Sequence, residues 1–313
     1  MFTIASCNLF NFLAPPGAFY EFSNILDNQQ WQKKRNWLTK MLKKMDADVV
    51  AFQEVFSIEA LRQLTLAAGY PYFVCLDHPH VQQEHIYTDP VLAIASRWPI
   101  EQSRLVTFQD VMEESDKVTH NLQFSRCPVH AVVEHPEIGH CDIINVHLKS
   151  QRSTSLARYS IENEQNELTL ASLGSWLSTV QRGWEALFIK RYLSLQYQNS
   201  PRPMVILGDF NAKLNSGELS PLCDLLSIPR LKDMRYWCSD KAKASAPTHY
   251  HGNQGIILDY ILLSEEFDRD NALHCAKVES IQIWDQHLTN PCFEHDQFSS
   301  DHAFVSVTLS ARE

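Results

Sequence analysis

An α/β fold, two packed sheets flanked by helices, is predicted by three features of the sequence. Short apolar runs of strand length recur along the whole chain and alternate with helix-periodic stretches. Several of these runs end on a polar residue able to carry chemistry, the first at Asn8 and the last at His302. A site drawn from both ends of 313 residues implies one domain over 1–313, long enough to bury a large core.

A first strand over 2–7 leads into an aromatic loop, 10–22, where Pro15-Pro16-Gly17 excludes regular structure. Asp27 or Asn28 caps a helix from about 29 to 45, with Trp31, Trp37, Leu38, Met41, Leu42 and Met45 as its apolar stripe. A strand over 48–53 and a helix over 57–68 capped by Ser57 follow. Short strands are then expected near 71–76, 91–96, 103–108, 126–135 and 141–148. Residues 77–89 read as a polar surface loop; its His78, His80 and His85 lack the spacing and the acid or Cys neighbours of a metal site. A long helix is expected over about 156–197, a Trp and Leu stripe as its core face and Gly174 and Gly183 as points of bending. Residues 228–255 contain Pro229, Pro247, Gly252 and Gly255 and few regular signals. Long irregular segments often line binding sites, so substrate choice is expected there and in 10–25.

The eight cysteines are scattered without a Cys-x-x-Cys pair and read as reduced core thiols. No basic segment precedes an apolar run and no stretch is long enough to cross a bilayer, so stable membrane insertion is not expected and the cytoplasm is the default compartment. Nothing in the sequence speaks to oligomeric state. The formal net charge of −10 argues against tight, sequence-blind nucleic-acid binding, which relies on Lys and Arg neutralising phosphates. Lys33, Lys34, Arg35, Lys40, Lys43 and Lys44 share the first helix and read as a solvated face. Lys149, Arg152 and Arg158 follow His147, and Lys149 is the one expected to contact phosphate.

The most informative run is Met204–Ala212, in which an apolar strand ends at Gly208 and delivers Asp209 and Asn211. In extended backbone these two share a face, where a carboxylate can hold a metal or activate water and an amide can donate to a phosphoryl oxygen. Comparable strand ends carry Asn8, Gln53-Glu54, Asn145-Val-His147, Asp259 and Ser300-Asp301-His302. Burying so many polar groups is costly unless they pair or bind a cation, and one shared site at one sheet edge accounts for them all.

In this order the six pieces, with Ser96-Arg97-Trp98-Pro99-Ile100, resemble the endonuclease/exonuclease/phosphatase superfamily from Thr3 to Leu309. That resemblance implies the four-layered α/β sandwich of DNase I-like proteins, two packed mixed β-sheets flanked by helices. It also implies a metal-dependent phosphoric ester hydrolase. Mg²⁺ is the expected cofactor, with Mn²⁺ as substitute, because hard cations take one or two carboxylates plus water and substrate oxygens. Glu54 and Asp301 are the expected ligands, with Asn8 and Asp209 completing the shell through water. Asp209 is expected to orient or deprotonate the attacking water and Asn211 to hold a non-bridging oxygen. His302 faces the phosphate with Asp259 on its far ring nitrogen, and His147 serves as leaving-group acid or phosphate contact. His147 stands where abasic-site endonucleases carry Tyr, which argues against that branch. The expected substrate is a phosphodiester in nucleic acid, cut by an endonuclease or exonuclease. The alternative is a small or lipid phosphoester, as in sphingomyelinases and phosphatases. A non-catalytic binding module is disfavoured because every expected position holds a competent side chain.

Overall fold

The computed structural model describes residues 1–112, 123–154, 167–224 and 226–312. Two six-stranded sheets dominate. The first runs in the order Ala276–Trp284, Phe304–Ala311, Phe2–Phe12, Val49–Val55, Val91–Ser96, Tyr72–Val74. The second runs Leu231–Asp233, Asp259–Ser264, Met204–Asp209, Gly139–His147, Val129–His135, Ile100–Leu105.

The layering follows from the two-residue repeat of a strand. Val49 and Ala51 face the other sheet and pack with Ile143, Val205 and Ile261. Val50 and Phe52 point the opposite way, onto Trp37, Leu38 and Leu42 of helix Asn28–Met45 and Leu61 of helix Ile58–Ala67. Ile144, Ile206 and Leu262 likewise face Phe188, Ile189 and Tyr192 of helix Glu167–Asn199. The order is therefore helices, sheet, sheet, helix, the four-layered sandwich the resemblance implies.

Strand pairing gathers the polar strand ends. Phe2–Phe12 runs parallel to Val49–Val55, and Gly139–His147 runs parallel to Met204–Asp209, so their carboxyl ends share one edge of the sandwich. Gly208 has φ 142°, and a Cβ there would lie 1.8 Å from the Val146 carbonyl oxygen, so only glycine lets these strands close. Between the sheets Gln53 Nε2 donates to Asn145 Oδ1 (2.7 Å), and Asn145 Nδ2 donates to the carbonyls of Phe52 (2.9 Å) and Ala93 (3.0 Å). This amide bridge pins the layers beside the site.

Several expectations need correction. Residues 77–89 are not all loop: His80–Gln82 pairs with Ile86–Thr88, which pairs with Ala18–Phe19, because their backbone groups find partners in one another. That small sheet ties down Tyr20, whose N–H donates to the Tyr87 carbonyl (2.9 Å). Strand 103–108 is displaced to Ile100–Leu105. Asp27 caps the first helix with a full capping box, whereas Ser57 Oγ makes no cap and instead accepts the Ala14 N–H (2.8 Å). Neither Gly174 nor Gly183 breaks the long helix. A Cβ at Gly174 would strike Ser153 Oγ at 1.9 Å, so this glycine lets the loop after His147 pack closely. The expected start of that helix, and Arg158, lie outside the described residues. On the first helix Lys33, Lys40, Lys43 and Lys44 are exposed as expected. Lys34 is not: it is buried, its Nζ donates to the Phe10 carbonyl (2.8 Å), and burial pulls its pKa down to about 8 against the opposing pull of Glu54 and Asp301. All eight cysteines are free thiols. Among the described residues no helix is long and apolar enough to cross a membrane.

Candidate active site

Asp209 is the hub. Strand register sets His147 opposite Asp209 on one side and Asp259 opposite it on the other. Asp209 Oδ2 lies 3.1 Å from Asn8 Nδ2, 3.3 Å from Asn211 Nδ2, 3.4 Å from His147 Nε2 and 3.9 Å from His302 Nε2. Its Oδ1 accepts the Asn211 N–H (2.8 Å), a contact made at the left-handed φ of 53° at Asn211. Burial pushes the Asp209 carboxyl up to about 7; His302 opposes the shift, and Asp259 and Glu54 add to it.

His302 arrives on the turn that opens strand Phe304–Ala311. Ser300 Oγ fixes this turn, donating to the Asn8 carbonyl (2.7 Å) and accepting the His302 N–H (2.9 Å). The imidazole Nδ1 lies 2.9 Å from Asp259 Oδ2, which realises the expected pairing and leaves Nε2 facing the cavity. Burial alone would depress the pKa of this ring. The carboxylates of Asp259 and Asp209 overcome that effect and raise it well above the usual imidazole range. His147 behaves oppositely. Buried beside Arg126 and His302, it is held well below that range, although its Nε2 lies 3.4 Å from Asp209 Oδ2.

Glu54 sits where the alternation of its strand breaks, at φ 60°, between Gln53, which faces the other sheet, and Val55. Its oxygens accept from Asn8 Nδ2 (3.3 Å) and the Asn11 N–H (2.9 Å), and among the described residues no basic side chain pairs with it. Asn8 turns its amide nitrogen to Glu54 and Asp209 while its oxygen accepts the Phe10 N–H (3.0 Å). In this arrangement it positions the two carboxylates. Asp301 Oδ1 is buried without a hydrogen-bond partner. Of the four carboxylates Glu54, Asp209, Asp259 and Asp301 one is committed to an imidazolium, and the surplus of oxygen donors could hold a hard divalent cation, Glu54 and Asp301 both lying on the cavity wall. Asn211 Nδ2 already donates to the Leu148 carbonyl (3.0 Å) and Asp209 (3.3 Å), so contact with a phosphoryl oxygen requires exchanging the longer bond.

Glu54, His147, Asp209, Asn211, Asp301 and His302 line a cavity of about 550 Å³ whose wall adds Phe10, Tyr20, Arg126, Arg152, His249 and His251. The Arg152 guanidinium lies 5.9 Å from the Tyr20 ring centroid. Lys149, the expected phosphate contact, is not on this wall. Its Nζ donates to the Arg152 carbonyl (3.3 Å) and its N–H to Glu185 (2.7 Å), which turns it away. Glu185, buried on the long helix, also accepts the Ser125 N–H (2.7 Å), so one carboxylate anchors the loops of both arginines. Sequence reasoning missed Arg126, Glu185 and His249. The segments holding Tyr20 and His249 were expected to line the site, but no spacing singled out these residues within them.

The sequence pattern of the endonuclease/exonuclease/phosphatase family matches residues 5–302. No curated protein matches the chain. Solved structures with the same fold include the human Nocturnin catalytic domain with bound sulfate (TM-score 0.62, 15% identity, covering 99% of this chain and 94% of that one). Danio rerio TDP2 complexed with single-strand DNA product gives a TM-score of 0.60 at 13% identity, with 99% and 98% covered. A mannosyl-6-phosphatase from Bacteroides thetaiotaomicron gives 0.57 at 15% identity, with 99% and 100% covered.

Proposed function

We propose that this chain, which belongs to the endonuclease/exonuclease/phosphatase family and is thereby a phosphoester hydrolase, acts as a Mg²⁺-dependent phosphodiesterase on nucleic acid, Mn²⁺ serving as substitute. The observation that carries this reading is the wall of the cavity. Aromatic rings at Phe10 and Tyr20 and guanidinium groups at Arg126 and Arg152 line it together with Asp209 and Glu54, and Arg152 lies 5.9 Å from the Tyr20 ring centroid. Stacking surfaces interleaved with cations are what a single strand of bases and phosphates requires. The TDP2 structure with a single-strand DNA product supports the same choice of substrate class.

The roles follow from the geometry. Asp209, with its carboxyl near 7, is matched to accept a proton from the attacking water at neutral pH. Asn8 and Asn211 hold that carboxylate in place. The His302 imidazolium, oriented by Asp259, donates to a phosphoryl oxygen as negative charge builds there. His147 adds a neutral N–H on the opposite flank. A divalent cation, which Glu54 and Asp301 would hold, would supply charge neutralisation and acidification of water.

A second reading, hydrolysis of a small or lipid phosphoester, is favoured by the net charge of −10 and by the modest volume of the cavity, about 550 Å³. Assays with Mg²⁺ or Mn²⁺ on plasmid, single-stranded DNA, RNA, bis-p-nitrophenyl phosphate and phospholipid vesicles, with Asp209→Ala as control, separate the two. The nuclease reading expects cleavage of single strands that weakens steeply as salt rises. Hydrolysis confined to small or lipid esters and indifferent to salt would overturn it.

A further inference from the structure

His249 belongs to none of the strand-end motifs, yet it stands against the catalytic turn. It opens the hairpin formed by His249–His251 and Gln254–Ile256, and its backbone bridges that of His302. Its ring packs on the His302 ring with centroids 4.8 Å apart, and its Nε2 lies 3.8 Å from Asp301 Oδ2. One donor atom from each of His249, Asp301 and His302 falls within 4.8 Å of the other two. His249 Nδ1 and Asp301 Oδ1 are buried without a hydrogen-bond partner. Such atoms are costly, and a cation that takes up one of these two side chains offsets part of that cost. His302 is already oriented as a ligand, because Asp259 holds its Nδ1 at 2.9 Å and leaves Nε2 as the outward donor.

Two imidazole nitrogens and one carboxylate oxygen are not the donor set of Mg²⁺, which prefers oxygen and retains water. They suit a borderline-soft ion that accepts tetrahedral nitrogen and oxygen donors. We propose that His249, Asp301 and His302 form an inhibitory site for Zn²⁺, sharing Asp301 with the oxygen-rich Mg²⁺ site. A tetrahedral ion with bonds of ~2.1 Å sets its ligands ~3.4 Å apart, so the set closes by up to ~1.4 Å from its present spread of up to 4.8 Å. The side chains of His249 and Asp301, 23% and 40% exposed, are less enclosed than that of His302, 7% exposed, and are the arms expected to shift. Ligation displaces the Nε2 proton of the His302 imidazolium to solvent, removes that nitrogen from the phosphoryl group and draws Asp301 from the other cation, so Zn²⁺ binding strengthens as pH rises. The inhibitory consequence rests on the phosphodiesterase reading; binding of the ion does not.

The metal-stripped full chain is titrated with Co²⁺, read by its visible spectrum, and with Zn²⁺ in competition with a chromophoric chelator, no substrate being present. One site is expected, with affinity at least about tenfold weaker in His249→Phe, which keeps a ring against His302, and in a second variant, His249→Gln. His140→Ala, in the exposed Glu101, Glu134 and His140 group, is expected to bind Zn²⁺ as the parent does. Zn²⁺ is then added to Mg²⁺-supported hydrolysis of bis-p-nitrophenyl phosphate, each variant being compared with its own uninhibited rate. The inhibitory concentration is expected to rise about tenfold in the folded His249 variants. Unchanged Zn²⁺ affinity in a folded His249 variant, no binding by the parent, or loss in His140→Ala instead would overturn the site. Zn²⁺ binding that obeys these expectations in a protein without phosphodiesterase activity would uphold the ion site and sink the substrate reading alone.

Discussion

Residues at the bottom of the cavity arrive on paired strands, whereas those around its mouth arrive on loops tied down by side chains. His147, Asp209 and Asp259 are lateral neighbours in one sheet, so their spacing is fixed by backbone hydrogen bonds. Tyr20, Arg126 and Arg152 instead depend on a three-stranded sheet at the rim and on Glu185, whose two oxygens hold the loops of both arginines. Strand register positions groups to within what bond making requires, and loops allow the contacts to substrate to differ without disturbing it. Floor and rim should therefore fail in different ways when altered.

The largest effect is expected at the hub. Asp209→Ala should lower kcat by about 10²–10⁴-fold with little change in KM, as measured in steady-state assays. Equal loss in kcat and in substrate binding would erase the distinction between floor and rim. Glu54→Gln comes next: Mg²⁺ affinity, followed calorimetrically, should weaken about 10–100-fold. At the rim, Tyr20→Ala should raise KM for a single strand by about tenfold, the loss of one stacked base, and leave kcat near its original value. The finest probe is the pH profile of Asp259→Asn. His302 acts protonated and its pKa is raised in the folded enzyme, so activity is lost as pH rises through that value. Without the Asp259 carboxylate the same loss should begin at lower pH, by about 1 unit or more. An unmoved alkaline limb would show that His302 is not the group being read.

Much of the floor was legible in the sequence because strand-end chemistry has a local signature: an apolar run, then an acid, amide or imidazole. Gly208-Asp209-Phe-Asn211 and Leu258-Asp259-Tyr could be placed on strands without knowing which strands were neighbours. The alternation of strands and helices fitted two packed sheets flanked by helices, and the four-layered sandwich was what the family resemblance implied. Orientation was not legible. Nothing local tells that Asn8 turns its nitrogen inward, since that depends on the Phe10 N–H at a left-handed residue with φ 49°. Lys149 was misplaced for the same reason, its direction being set by Glu185, 36 positions further along. Short strands such as His80–Gln82 escaped because three exposed residues carry no apolar pattern to read.

The ammonium of Lys34, lodged beneath the residues that lead into the site, leaves a mark on how the fold responds to alkali. Its pKa falls from the ordinary 10.5 to about 8 in the folded chain, so the charged form costs about 3 kcal/mol wherever both states carry the proton, that is, below pH 8. Between pH 8 and 10.5 the folded chain sheds this proton before the unfolded one does, and the penalty fades. Urea midpoints of the parent should accordingly gain on those of Lys34→Met across that window, a rise in resistance where proteins more often begin to weaken.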